Sequence, residues 1–222
     1  MIIFGHIFLP MFKYNFITID GNTGAGKTTL ANMFAEEFGA NLILEQFVDN
    51  PFLAAFYAEP DRFAFQTEMY FLVDRYQQLK EKIRVLDLHK NLNISDYIFT
   101  KSLLYAKANL NEQEYQLFER IFNMFFNDLP EPELFIYVHS TADRLVKNIQ
   151  KRGRGFEQVV RKSYLKSVED IYFEHFEKNK HLRILIIPSD DLDFVTKADD
   201  YQKIKEAVTK EYEPGIHYLN IK

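Results

Sequence analysis

One short segment constrains this chain more than any other. Gly21-Asn22-Thr23-Gly24-Ala25-Gly26-Lys27-Thr28 satisfies the pattern G-x-x-x-x-G-K-[ST]. Before it, Tyr14–Ile19 is an apolar, β-rich run that ends in Asp20-Gly21. After it, Lys27–Phe38 carries helical spacing through Leu30, Phe34 and Phe38, and Gly39 stands where a C-terminal cap is expected. A glycine-rich loop between a strand and a helix turns backbone N–H groups inward around a phosphate, and the helix adds its positive dipole end. Lys27 is placed to neutralise β- and γ-phosphate oxygens, and the Thr28 hydroxyl to ligate Mg²⁺. The bland alternative is an ordinary strand–helix turn. The flanking elements weigh against it, so Gly21 to Thr29 is read as a nucleoside triphosphate site.

The rest of the chain sets limits. Its 222 residues exceed the roughly 150 of a typical domain without reaching two, which favours one domain with insertions. Apolar residues make up 47% and charged residues 27%, a balance that excludes a disordered or collagen-like chain. No stretch approaches the ~20 continuous apolar residues of a membrane span. Net charge is −5, which disfavours a general nucleic-acid binder. Cysteine is absent, which removes disulfides, thiolate zinc sites and cysteine nucleophiles and fits a cytoplasmic enzyme. Met1–Pro10 is apolar but lacks the basic start and cleavage site of a signal peptide, and Met11 is a second candidate start. Residues 1–13 are therefore set aside as an extension, and 14–222 are expected to form a single domain.

Alternation predicts the architecture. Further strands are expected at Leu42–Leu44, Leu92–Ser95, Leu134–Val138 and Arg183–Ile187. Helical spacing runs from about Asp61 to Leu88, then over Lys101–Asn109, Asn111–Asn127, Ala142–Lys151, Tyr164–His175 and Asp199–Tyr212. The pattern implies an α/β fold with a five-stranded parallel sheet covered by helices on both faces.

A switch GTPase would need N-K-x-D and D-x-x-G elements, and neither is present. A motor ATPase would usually end a strongly apolar strand in Asp, whereas the best one here ends in His139-Ser140. A small phosphotransferase remains, and it needs a base, extra positive charge and a lid. Glu45 follows a predicted strand at the sheet edge where ligands bind, or is a solvated strand-end carboxylate. Asp96 could hold Mg²⁺ through water, or cap a helix. Lys147, Lys151, Arg152 and Arg154 could fold over a triphosphate, or serve as a solvated helix end.

The segment Glu45-Gln46-Phe47-Val48-Asp49-Asn50-Pro51-Phe52-Leu53 is followed by Phe56-Tyr57 and Pro60-Asp61-Arg62-Phe63-Ala64-Phe65. Phe71-Leu72-Val73-Asp74-Arg75-Tyr76 and the run Arg152-Gly153-Arg154-Gly155-Phe156-Glu157-Gln158 continue the pattern. Together with the phosphate loop these motifs resemble the deoxynucleoside kinase family from about Tyr14 to Phe194. The resemblance implies a phosphate-loop NTPase-type sheet with a basic lid near residues 152–158, ATP and Mg²⁺ as cofactors, a deoxynucleoside acceptor, and a homodimer. It implies that Glu45 accepts or orients the 5′-hydroxyl proton. Tyr57 and Glu157 would bind the 3′-hydroxyl, Arg152 and Arg154 would cover the ATP, and Glu68 and Arg75 would face the base. Spacing independently puts Glu68, Leu72 and Arg75 on one helix face, which is equally the pattern of a surface ion pair; Tyr57 could equally be core.

Departures from the family sharpen the reading. An acid, arginine and serine usually follow the third strand, whereas here Ser95-Asp96-Tyr97 stands there. Asp96 aligns either with the acid or, without gaps, with the arginine, and either way the arginine is missing; Lys101 is the substitute candidate. Asn148 replaces a lid arginine for which Lys147 could compensate. The family's base-reading glutamine is Glu68, and an ionised carboxylate only accepts hydrogen bonds. Guanine offers adjacent N1–H and amino donors, so a purine, deoxyguanosine first, is favoured. A thymidylate-type kinase is the rival, although Glu45 and Glu157 would repel a monophosphate. A catalytically impaired nucleotide-binding module is the other alternative. Phe118, Phe122, Phe125 and Phe126 fit either a helix–helix dimer contact or an internal core.

Overall fold

In the computed structural model, residues 13–46, 50–84, 92–127 and 129–220 are described. The N-terminal extension through Phe12, the family-like residues Phe47, Val48 and Asp49, and the expected helix end at Leu86 and Leu88 lie outside them.

Strands β1 (Phe16–Asp20), β2 (Asn41–Ile43), β3 (Asn93–Ser95), β4 (Leu134–His139) and β5 (Arg183–Pro188) fall on the five predicted runs, with bounds moved by one or two residues. A sixth, β6 (Gly215–Tyr218), corrects the expected count. The order is β2-β3-β1-β4-β5-β6, and every adjacent pair is parallel. Gly215-Ile216-His217-Tyr218 has no apolar alternation to announce a strand. It becomes one by pairing with Arg183–Ile186 at the sheet edge, where it stays partly exposed.

The helices are α1 (Lys27–Phe38), α2 (Leu53–Ala58), α3 (Pro60–Arg84), α4 (Lys101–Asn109), α5 (Glu112–Phe126), α6 (Ala142–Arg152), α7 (Lys162–Lys178) and α8 (Ala198–Val208). The periodicity did not reveal α2, which is shorter than two turns. Helix α8 ends before the expected Tyr212, and Thr209, just past its end, donates its hydroxyl to the Lys205 carbonyl.

Strand alternation explains the layers. Leu134, Ile136 and Val138 of β4, with Leu185 and Ile187 of β5, pack under Leu30 and Phe34 of α1, Leu145 and Ile149 of α6, and Ile204 of α8. Phe135 and Tyr137, with Ile184 and Ile186, pack on the opposite face against Leu104 of α4 and Val168, Tyr172 and Phe176 of α7. Both faces of the central strands are therefore buried, which is why these strands read as continuous apolar runs.

A third cluster joins α3, α4 and α5 through Leu72, Leu79, Ala106, Phe118 and Phe122, with Phe99 from the turn before α4. Phe118 and Phe122 lie one turn apart and are 0% and 3% exposed, and Phe99 stacks on Phe122 with ring centroids 4.9 Å apart. These aromatics are internal core. The apolar side chains that α5 exposes are Leu117 and Met124. We expect Phe118→Ala to cost about 3–5 kcal/mol in urea unfolding, the range for a buried phenylalanine. A loss below about 1 kcal/mol would show that the cluster collapses around the gap.

Candidate active site

Three acids sit at the carboxyl ends of neighbouring strands: Asp20 closes β1, Asp96 follows β3, and Glu45 lies just past β2. The parallel order β2-β3-β1-β4 brings these ends to one edge, where crevices form in open α/β sheets. A cavity of about 650 Å³ opens there. It is bounded by the phosphate loop, the ends of β2 and β3, helices α2 to α4, and the segment after α6.

The phosphate loop is shaped by close approach. Gly21 has φ 150°, and a Cβ there would stand 2.4 Å from the Val138 carbonyl oxygen. Gly26 enters α1 at φ 93°, in the left-handed region. Asn148 Nδ2 donates to the Gly24 carbonyl at 2.9 Å, so the residue standing in place of a lid arginine anchors the loop instead. Lys147 is exposed and does not line the cavity. Lys27 folds back to donate to the Asn22 carbonyl at 3.1 Å. Burial, then the neighbouring Lys101, push Lys27 down to about 8. Thr29 lines the cavity beside Thr28.

Thr28 Oγ1 donates to Asp96 Oδ2 at 2.5 Å, and the Glu45 backbone N–H donates to Asp96 Oδ1 at 2.7 Å. Asp96 therefore sits beside the phosphate loop, bonded to Thr28 and to the Glu45 backbone. Tyr97 turns away and donates to Gln78 Oε1 at 2.7 Å, fully buried. A hydroxyl and a carboxylate on adjoining elements are hard oxygen donors of the kind Mg²⁺ accepts, so the residues present fit that ion.

Glu45 is held on both oxygens. Arg75 Nε and Nη2 donate to Oε1 at 2.8 and 2.5 Å, and Lys101 Nζ donates to Oε2 at 2.9 Å. Burial alone would raise the carboxyl, but Lys101 and Arg75 outweigh it and hold Glu45 well below the usual carboxylate range. Arg75 also donates to Ser102 Oγ at 2.9 Å, and it lies over the Phe71 ring. It borders the cavity, but its pairing is with Glu45 rather than in a surface pair with Glu68.

Glu68 is 2% exposed on the cavity wall. Its Oε1 accepts from Asn109 Nδ2 at 2.6 Å, whereas its buried Oε2 has no partner among the described residues. Burial pushes its carboxyl up to about 7 against the opposing pull of Arg75 and Asn109. The full ionisation assumed from sequence is therefore replaced by a group balanced near neutrality. Tyr57 lines the same end of the cavity, where burial and then Glu157 raise its phenol. Arg152 and Arg154 both pair with Glu157, which is 5% exposed. The lid arginines and the expected sugar-binding acid thus form one unit.

Sequence reasoning missed Asp20, Tyr105, Asn109 and Tyr164. Asp20 is fully buried and accepts from Tyr172, Lys101 and its neighbour's N–H. The other three line the cavity. A polar residue at the end of a strand was the available signal for Asp20. For the helix residues only the fold supplies one.

A family profile for deoxynucleoside kinases matches residues 17–212. The chain is 35% identical over 193 residues to a deoxyguanosine kinase of Bacillus subtilis, covering 85% of this chain and 93% of that one. It is 28% identical over 206 residues to a deoxyadenosine kinase of Lactobacillus acidophilus, covering 86% and 94%. The fold superposes on a deoxyadenosine kinase from M. mycoides with bound dATP at a TM-score of 0.75 and 21% identity, covering 88% of this chain and 100% of that one. Kinases of this family use a nucleoside triphosphate with a metal ion. The chain belongs to the deoxynucleoside kinase family and is an ATP-dependent phosphotransferase whose acceptor is a deoxynucleoside.

Proposed function

We propose that this kinase phosphorylates the 5′-hydroxyl of purine deoxynucleosides, deoxyguanosine foremost, in nucleotide salvage with Mg·ATP. The observation that carries the base preference is the unpartnered Glu68 Oε2 on the cavity wall. A buried acceptor without a donor is costly, and a base that brings N–H donors removes that cost. Ionised Glu68 suits the N1–H and amino group of guanine. The relatives named for deoxyguanosine and deoxyadenosine support a purine.

Glu45 receives or orients the 5′-hydroxyl. Tyr57 and Glu157 address the 3′-hydroxyl, and Arg75 borders the base. Lys27, Arg152 and Arg154 surround the triphosphate from the loop and lid sides. Thr28, and Asp96 through water, would hold Mg²⁺, which when bound neutralises charge on the phosphates. Val73 of α3 with Leu117 and Met124 of α5 are exposed apolar side chains, which supports a homodimer through these helices. The cytoplasm is the proposed location, since ATP is the donor and the chain carries no cysteine. No described helix is long and apolar enough to cross a membrane.

Mg·ATP-dependent phosphorylation of the four deoxynucleosides and thymidylate, assayed in parallel, tests the reading. Deoxyguanosine should give the highest kcat/KM. Turnover of thymidylate alone would assign a monophosphate kinase. ATP binding with no acceptor turned over would assign an impaired nucleotide-binding module.

A further inference from the structure

The arginine that usually follows the third strand is missing, and its neighbours explain what stands in for it. Among the described residues, the cations that line the cavity are Lys27, Arg75, Lys101, Arg152 and Arg154. Arg152 and Arg154 belong to the lid and pair with Glu157. Arg75 is committed to Glu45 and Ser102 and is 3% exposed. Lys101 is different. It opens α4, and its Nζ bridges Glu45 Oε2 at 2.9 Å and Asp20 Oδ1 at 3.3 Å. Asp20 immediately precedes the phosphate loop and is itself held by Tyr172 at 2.8 Å. Lys101 is thus tethered on the phosphate side of the cavity, on a flexible four-carbon stem.

The same contact presents a chemical obstacle. A carboxylate whose two oxygens are both covered by cations is a poor base. One cation must leave Glu45 before the acceptor hydroxyl can approach. Arg75 holds Glu45 with two donors and Ser102 with a third, whereas Lys101 gives Glu45 a single donor, so Lys101 is the cation that leaves. Lys27 and Lys101 line the same cleft, and two like charges there repel each other. A triphosphate placed between them reverses that repulsion into attraction.

We propose that Lys101 supplies the cation on the transferring phosphoryl group, and that its passage from Glu45 to that group uncovers Glu45 Oε2 for the 5′-hydroxyl. In this step the 5′-oxygen bonds to the γ-phosphorus and the bond from that phosphorus to the β,γ-bridging oxygen breaks. ADP leaves with the electron pair, and the hydroxyl proton passes to Glu45. Asp20 is a positioning residue that keeps Lys101 beside the loop throughout. The inference rests on the kinase reading above and adds the group that replaces the missing arginine.

The test compares wild type, Lys101→Met, Lys101→Arg and the double variant Asp20→Asn/Lys101→Met, which removes both members of a buried pair and leaves neither charge alone. Lys101→Met should lower kcat by about 10²-fold or more, the scale for losing one preorganised charge. The KM for deoxyguanosine should stay within about threefold. Lys101→Arg should recover kcat to within about tenfold of wild type. If Lys101→Met does not fold, the double variant carries the same expectations. A kcat within about threefold of wild type overturns the proposal. So does a fall in kcat that Lys101→Arg does not rescue, which is what a purely structural lysine would give. Wild-type turnover of deoxyguanosine in the same assay separates these outcomes from a failure of the kinase reading.

Discussion

Glu45→Gln should lower kcat for deoxyguanosine phosphorylation by about 10³-fold, within the range for losing a general base. The geometry behind this number is specific. Glu45 lies just past the end of β2, and its own backbone N–H is fixed on Asp96. Its carboxylate is the point where Arg75 and Lys101 converge. Glutamine keeps the shape and can still accept from Arg75, but it cannot take a proton. Its amide N–H₂ would also face Lys101. ATP binding should survive, because the phosphate loop contacts do not include Glu45. Removing one partner of a buried pair also costs stability, so kcat is compared below the melting temperature of the variant. Equal kcat in variant and wild type would remove Glu45 from the chemistry.

The second large effect concerns the base. In Glu68→Gln the ratio of kcat/KM for deoxyguanosine over deoxyadenosine should fall by about 10²-fold, since a site built around one donor pattern discriminates strongly against another. Glutamine can donate as well as accept, so it no longer penalises the edge of adenine. The same carboxyl makes a pH prediction. Burial raises Glu68 to about 7, so it is neutral below that pH and ionised above it. Neutral Glu68 carries an O–H that can donate; ionised Glu68 only accepts. The ratio for deoxyguanosine over deoxyadenosine in wild type should therefore rise as pH increases from about 6 to 8. It should be flat over that range in Glu68→Gln. Because kcat/KM reports groups of the free enzyme, this profile reads the ligand-free carboxyl directly. A flat wild-type ratio would mean that Glu68 does not read the base.

The parts of this protein legible in sequence are those written over short distances along the chain. The phosphate loop is contiguous, so its pattern is legible even though the carbonyl that crowds Gly21 comes from Val138 on another strand. Strands β4 and β5 announced themselves because both of their faces are buried, which keeps Leu134–Val138 and Ile184–Ile187 apolar throughout. The aromatics of α5 show where such reading stops. Their spacing placed them on one face, but only the packing of α3 and α4 against that face made Phe118 and Phe122 core.

Sequence by itself determined the nucleotide loop, the α/β alternation, the strand-end acids Glu45 and Asp96, and the family. The partnerships among them were decided by tertiary structure. Lys101 meets Glu45 across 56 positions and Asp20 across 81, and Asn109 meets Glu68 across 41. β6 exists through its pairing with β5 rather than through its own residues. The charge state of Glu68 likewise depends on what surrounds it: a carboxyl's proton affinity is set by the water it loses and the charges it meets, and both are properties of the folded chain.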